Sequence, residues 1–491
     1  MTRQKAQSVD LNAIAHRSVV EAGFKPDLTK AVIKEVQSLT TKPSTTTSDA
    51  RTRDLRNLLW SSIDDRTSRD LDQLEYAEAL PGGDMRLLIA IADVDAFVPK
   101  GSAIDEHAAA NSTSVYTGVR TFPMLPEELS TDLSSLNAGQ DRKAVVTELV
   151  VAGDGSIKST EVYRALVHSQ AKLSYESVGD WLDGKATVPP KVVEVPGLEA
   201  QIKLQFEIAN RLGDSRKRQG ALDLSTIQAK PVVDDDGKVL DLAVVEDNGA
   251  RELIANFMIS ANVAMAKFLE AAGRSSLRRV VRTPKYWPRI VEIAEELGEK
   301  LPPTPDSQAL AEFLKHQKAA DPVHFPDLSL AVVKSLGPGE YTVETPGAEG
   351  EGHFGLAVQD YTHSTAPNRR YTDLVTQRLV KAALDKKPEP YNDAELGAIA
   401  AHSNRRGEAA RKVERKMRKV AAAVLLRDRI GEKFDAIVTG ATEKGTFARL
   451  ISPPVDGRVM RGERGLRVGD KTRVKLVSTD PERGFIDFAR A

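Results

Sequence analysis

Asp64, Asp70 and Asp72 fall within one short segment, Ser62-Ile63-Asp64-Asp65-Arg66-Thr67-Ser68-Arg69-Asp70-Leu71-Asp72-Gln73, and their spacing suits a hard divalent cation. Asp70 and Asp72 stand two apart. In an extended segment both carboxylates point to one side while Leu71 points to the other. With Asp64 they can converge on Mg2+, which takes a few carboxylates and fills its shell with water and phosphate. Taken alone, an aspartate-rich turn is more often a solvated loop. About three hundred residues later come His353-Phe354-Gly355-Leu356 and then Tyr361-Thr362-His363-Ser364-Thr365-Ala366-Pro367-Asn368-Arg369-Arg370-Tyr371. Arginine donates paired hydrogen bonds to phosphate oxygens and stabilises charge that builds in a transition state. Carboxylates with a metal on one side and arginine on the other make a site for breaking a phosphodiester.

These residues need positioning elements. Ser61-Ser62-Ile63 reads as the end of a strand that delivers Asp64. Thr365-Ala366-Pro367 reads as a helix start, with Arg369 and Arg370 in its first turn. Further strands are expected at Leu87–Ile91, Val145–Val151 and Val239–Val245, and helices at 196–212, 251–271 and 372–386. Pro284 to Pro326 is expected to be mainly helical, broken at Pro302, Pro303 and Pro305. Upstream, residues 9–22 and 27–39 carry helical stripes, Leu11, Ile14, Ala15 and Val19 in the first and Leu28, Val32, Val36 and Leu39 in the second. The pair fits either a helix-turn-helix or two helices packed on the main body. Thr40 to Ser48 is a linker by composition. From 432 to 491, β-prone runs at Phe434–Thr439, Thr446–Ile451, Arg473–Val477 and Gly484–Phe488 are separated by Gly, Asp and Pro, the pattern of a small OB-type barrel. The expected class is multidomain α+β: a helical module and linker over 1–48, a large mixed α/β domain over 49–431 and an OB-fold β-barrel over 432–491.

Composition sets the outer bounds. The 491 residues exceed one ordinary core, and 41% hydrophobic with 28% charged residues is a soluble globular balance. No run of eighteen apolar residues and no signal-like amino terminus is evident, so no membrane association is expected. The chain has no cysteine. That excludes disulfides and thiolate zinc sites and makes a reducing cytoplasm the simplest setting. The net charge of −1 argues against a uniformly basic nucleic-acid binder, but Ser403 to Lys433 holds eleven Lys/Arg against four Asp/Glu. By itself such a run is most often a solvated helix face.

Over roughly residues 50–430 the chain resembles the RNase II / RNase R family, the RNB exoribonucleases. The resemblance is carried by Ile63-Asp64 … Asp70-Leu71-Asp72-Gln73; by Ile91-Ala92-Asp93-Val94 … Gly101-Ser102 … Asp105; and by Thr113-Ser114-Val115-Tyr116 … Pro123-Met124-Leu125-Pro126 … Leu129-Ser130. Ala171-Lys172-Leu173-Ser174-Tyr175 and the segment from His353 to Tyr371 complete the series in order. The resemblance implies hydrolytic degradation of single-stranded RNA from the 3′ end to nucleoside 5′-monophosphates by a monomer. It implies one or two Mg2+ ions, or Mn2+, on Asp64, Asp70, Asp72 and Gln73. Arg369 matches the catalytic arginine, and Arg370 takes a phosphate or structural role. Tyr116 and Tyr175 match aromatics around the terminal nucleotides; a stacked base contributes about 1–3 kcal/mol without regard to sequence.

Three departures stand out. The family's last aspartate is Gln73, which carries no charge and should hold the metal more weakly. Both glutamates of a second motif are replaced, by Ala255 and Asn256. An aromatic opposite the base stack is Leu224. They motivate a rival reading, an RNA-binding protein of the same fold that has lost turnover. In the basic run, Val413, Met417, Val420 and Val424 mark an amphipathic helix, with Arg405, Lys412, Lys416 and Lys419 off the stripe and able to follow a backbone. Glu414 falls near an acidic position of some members. The carboxy-terminal barrel resembles the S1 domain, with Phe434 and Phe447 as candidates for base contacts. The family usually carries two cold-shock barrels ahead of the catalytic domain. A short helical module in their place implies an open entrance, partial digestion of duplexes with a 3′ overhang, and a dispensable segment 1–39.

Overall fold

The computed structural model describes residues 9–41, 51–225, 228–234, 239–245, 247–442 and 445–491. Most of the expected linker at 40–48 lies outside them. Strands Thr52–Asp54, Trp60–Asp64, Gln73–Ala79, Met85–Ala92, Asp141–Val151 and Ile157–Ser174 form one sheet. The long strand Ile157–Ser174 pairs antiparallel with Asp141–Val151 and parallel with Trp60–Asp64. The sheet therefore curls back and closes on itself. Both faces are covered, which is why Leu87-Leu88-Ile89-Ala90-Ile91 is continuously apolar. Leu87, Ile89 and Ile91 pack with Ile63 and Leu173 under the helices Leu198–Arg218 and Gly249–Ala271. Leu88 and Ala90 face the other core, with Trp60, Leu71, Leu74 and the helix Tyr371–Leu384. By length and composition Gly249–Ala271 could cross a bilayer. Here its apolar side chains are spent on those two cores.

The region 284–326 is helical as expected, with Trp287–Glu296, Ser307–Ala320 and the start of Phe325–Leu336, and the prolines fall between the first two. Leu222 and Leu224 pack against this helical cluster. Leu224 is thus a packing residue, not a platform for a base.

The amino-terminal helices Leu11–Glu21 and Lys30–Thr40 do not form a free module. The first lays Leu11, Ile14, Ala15 and Val19 on Phe122, Val413, Met417 and Val420. The second inserts Val32 and Val36 into the main core. Between them, Asn111 clamps Lys25 through the backbone N–H (2.8 Å) and carbonyl (3.0 Å). This settles the choice between the two helical readings in favour of packing on the body. It also removes the reason to expect 1–39 to be dispensable. Six large buried side chains, Leu11, Ile14, Val19, Phe24, Val32 and Val36, at roughly 1.5–3 kcal/mol each, are on the scale of whole-domain stability. Deletion of 1–41 is expected to give an insoluble or unfolded chain. A cooperative melt within a few degrees of the parent would overturn that expectation.

The basic run belongs to a 34-residue helix, Asp393–Leu426, opened by an Asn392 capping box with Glu395. At about 1.5 Å per residue it is a strut that enters the barrel core with Ala422, Ala423 and Leu426. The barrel is closed in the order Lys433–Thr442, Gly445–Leu450, Asp456–Arg461, Phe485–Arg490, Lys471–Asp480. The strand Asp456–Arg461 has no β-rich run in the sequence to announce it. Gly484, at φ +70°, abuts the strut so closely that a Cβ would come 2.9 Å from the Lys419 side chain. Arg449 also ties the barrel to Asp327 at 2.8 Å.

Candidate active site

The aspartate segment turns at Arg66-Thr67 and then runs between two neighbouring stretches of chain from Asp70 to Asp72. The Leu71 N–H donates to Ser135 Oγ (2.9 Å) and its carbonyl accepts from Leu136 (2.9 Å). On the other edge the Ala92 N–H donates to the Asp72 carbonyl (2.9 Å). Leu71 is drawn into the core, and Asp70 and Asp72 share the opposite side. Asp64 ends its strand and accepts from Ser68 Oγ at 2.8 Å. Lys172 binds the Arg66 carbonyl (3.1 Å) and the Ser68 carbonyl, pinning the turn. Asp65 points away, to Lys230 (2.8 Å) and Arg251 (3.0 Å).

The arginine segment differs from its expectation. The helix begins at Tyr371, so Arg369 and Arg370 lie in the turn before it, with Arg370 extended at φ −135° as its cap residue. Tertiary pairing causes this. The Ser114 N–H donates to the Arg369 carbonyl (3.0 Å) and the Tyr371 N–H to the Ser112 carbonyl (2.9 Å). That tether brings Arg369 to the aspartates. Its Nε lies 3.4 Å from Asp72 Oδ2, with the arginine side chain 45% exposed and the aspartate 4%. The Asn368 N–H donates to Asp72 Oδ1 at 3.0 Å, and Tyr116 OH donates to Asp70 Oδ2 at 3.1 Å.

Arg370 is committed elsewhere. Its Nε and terminal nitrogen donate to Asp373 at 2.9 and 2.7 Å, and the same carboxylate accepts the Ala366 N–H at 2.9 Å. These bonds give Arg370 a structural part, and it also borders the cavity above the site. The loop is further locked by Asn262, which accepts from both Ser364 N–H (2.8 Å) and Ser364 Oγ (2.9 Å). His363, on Tyr341 OH at 2.7 Å, is held neutral by burial and by the charges of Arg370 and Arg279.

Over this site opens a cavity of about 710 Å³. Arg279, Arg369, Arg370, Arg405 and Arg411 line it against Glu340, Glu408 and Glu414. The excess of positive charge suits a phosphate backbone. Tyr116 is 39% exposed there and its N–H donates to Glu414 at 3.1 Å. Arg405 lines the cavity, whereas Lys412 and Lys416 do not; Lys412 pairs with Glu408 at 2.6 Å and Lys416 lies 3.6 Å from Glu21. Each helical residue turns about 100° from the last, and the apolar stripe sets which face meets the cavity. Arg279 and Arg411 were missed; Arg411 lay within the basic run, but Arg279 had no signal beyond its strand, Ser276–Val280.

Tyr175 is not among the cavity-lining residues, and the Arg251 guanidinium covers its ring at 4.4 Å. One face of that ring is therefore closed to a base. Phe434 is barrel core, while Phe447 stands 37% exposed beside Arg458 on the neighbouring strand. Asn256 is framework, donating to the Ala209 carbonyl (3.0 Å) and accepting from Arg216. That departure does not reach the site. Gln73 is buried, with its amide nitrogen 3.4 Å from the Ile63 carbonyl.

The donor set fits a hard divalent ion: oxygen ligands alone, in a chain without cysteine. Burial pushes the Asp72 carboxyl up to about 7 even with Arg369 beside it, and burial raises Asp64 as well. The charge of Arg369 offsets that burial only in part. The carboxylates are not gathered into a finished cage, for among the described residues no three acidic or histidine side chains meet as a metal group. Each is instead engaged singly: Asp64 by Ser68, Asp70 by Tyr116 and Asp72 by Arg369.

The family profile of the RNB domain matches residues 52–386, and that of the RNase II-type exonuclease C-terminal S1 domain matches 432–491. Ribonuclease R 1 of Lactococcus lactis subsp. lactis is 28% identical over 466 residues, 89% of this chain but 56% of that relative's length. The structure of Mycoplasma genitalium RNase R in complex with ribose-methylated single-stranded RNA superposes with a TM-score of 0.87 at 26% identity, covering 98% of this chain and 78% of that one. The same protein in complex with double-stranded RNA gives 0.86 at 26% identity, covering 98% and 83%.

Proposed function

The chain belongs to the RNB family, and on that premise we propose that it is a 3′-to-5′ exoribonuclease that hydrolyses RNA to nucleoside 5′-monophosphates. The observation that carries this is the approach of half-exposed Arg369 to buried Asp72 (3.4 Å) beneath an arginine-rich cavity. Two segments remote in sequence meet there, which supports reading them as the two halves of a phosphodiester site.

The RNA backbone enters along Arg279, Arg405 and Arg411, which bind phosphate without reading sequence. Tyr116 offers its ring to the terminal nucleotides. Arg369 donates to the scissile phosphoryl oxygens and stabilises their charge in the transition state. Asp64, Asp70 and Asp72 would hold Mg2+ or Mn2+, which when bound supplies an acidified water and neutralises charge at the leaving oxygen. Arg370 keeps the loop in place through Asp373, so Arg369 is already aimed before substrate arrives. Exposed Phe447 on the S1-type barrel is a second contact for the incoming strand. We assign the domains as a catalytic body reaching to 431, including the amino-terminal helices, and an RNA-binding barrel over 432–491. We also assign it as a monomer; the absence of cysteine accords with a reducing compartment.

The test uses 5′-labelled single-stranded RNA with Mg2+, beside a stem carrying a 3′ overhang. The expected result is a ladder of shortened labelled products, 5′-monophosphates in solution, arrest by EDTA, and partial digestion of the stem. Products bearing 3′-phosphates, or full activity in excess EDTA, would overturn the reading. Binding without shortening would favour the rival, an RNA-binding protein without turnover. A halt several nucleotides before the stem at every temperature would remove the duplex activity alone.

A further inference from the structure

Glu75 takes no part in the framework or the chemistry above. It lies on the strand Gln73–Ala79, is 0% exposed, and neither of its carboxylate oxygens has a hydrogen-bond partner among the described residues. A carboxylate in that state is costly unless a cation or a proton meets it. Its neighbours share the deficit. Ser61, paired with it across the sheet, has a buried Oγ without a partner. Gln205 donates its amide nitrogen to the Glu75 carbonyl at 3.3 Å and leaves its own buried oxygen unpartnered. Ser61 and Glu75 face each other on paired strands, one ending at Asp64 and the other beginning at Gln73, so Glu75 sits near the end of the sheet that carries both.

Gln73 and Glu75 are two residues apart on one strand and share a face. Gln73 stands where the resemblance places the last aspartate of the metal set. We propose that Glu75 replaces that aspartate: it supplies the metal centre with the negative charge that Gln73 lacks, from the next position on the same strand face. The proposal rests on the reading of Asp64, Asp70 and Asp72 as a divalent-cation site. It accounts for a carboxylate that is fully buried and has no hydrogen-bond partner among the described residues.

The test is Mg2+ titrated into the RNA-free full chain by calorimetry, with melting curves in EDTA and in Mg2+. Glu75→Gln keeps the shape and removes the charge. It is expected to weaken Mg2+ binding by about 10-fold or more and to lose most of the Mg2+-dependent rise in melting temperature. In EDTA it should melt no lower than the parent. The pair Gln73→Asp/Glu75→Gln should recover binding. Parent-like Mg2+ affinity in Glu75→Gln, with affinity lost in Asp64→Asn, would show Glu75 to be a protonated core group. That overturns the proposal and leaves the metal-site reading standing. Should Asp64→Asn also bind like the parent, both fall. If Glu75→Gln does not fold, Gln73→Asp alone decides. Little gain in affinity supports Glu75 as the existing charge; a gain matching the loss expected of Glu75→Gln overturns it.

Discussion

Asp72→Asn is expected to lower turnover of single-stranded RNA by at least about 10³-fold while RNA binding is kept or strengthened. The amide oxygen can still accept the Asn368 N–H, and the Ala92 N–H still holds the Asp72 carbonyl, so the segment should stay extended. What disappears is one negative charge in a buried position beside Arg369. A metal held partly by that charge is lost or displaced. Binding does not suffer, because a negative group facing the RNA phosphates has been removed. Single-turnover cleavage of labelled RNA, paired with a gel-shift titration, measures both. Cleavage at the parent rate would exclude Asp72 as a ligand. Loss of cleavage together with loss of binding would point to a collapsed loop, which a melting curve reveals.

The second large effect separates two adjacent arginines. Arg369→Ala is expected to reduce kcat by about 10²–10³-fold, with little change in KM or melting temperature. Its guanidinium is half-exposed and its ion pair with Asp72 is long. Arg369→Lys should recover part of the loss, since a point charge cannot reproduce the forked donor. Arg370→Ala should behave differently. It leaves Asp373, with its side chain 0% exposed, without its arginine. Breaking such a buried pair costs about 3–5 kcal/mol, so the variant should show a clear fall in melting temperature. If the two alanine variants give the same profile in kcat and in stability, the division of labour between them is wrong.

Period-two alternation placed Asp70 and Asp72 on one side and Leu71 in the core. Helical periodicity marked the stripe of the long helix, and turn residues marked most of the barrel. These are local properties: a strand residue faces opposite its neighbour, and a helix residue about 100° from it, whatever the rest of the chain does. The motif series was equally legible, because its order and spacing are properties of the chain.

Contacts between remote segments were not legible. Arg369 was read into a first helical turn, yet the bonds of its carbonyl to Ser114 and of Tyr371 to Ser112 hold it in the turn before the helix, beside Asp72. Arg411 and Lys412 are adjacent and equally basic, but only the docking of the helix decides that the first meets the cavity and the second meets Glu408. The amino-terminal helices looked separable because their stripes do not say what they cover; Val32 and Val36 turn out to complete the main core. Glu75 carries no local mark at all, and only the closure of the sheet under the helix Leu198–Arg218 leaves it buried with no hydrogen-bond partner for its carboxylate among the described residues. Sequence by itself determined side-chain direction within each element and the chemistry on offer. Tertiary structure decided which of those groups meet, since burial and approach depend on partners that no local pattern names.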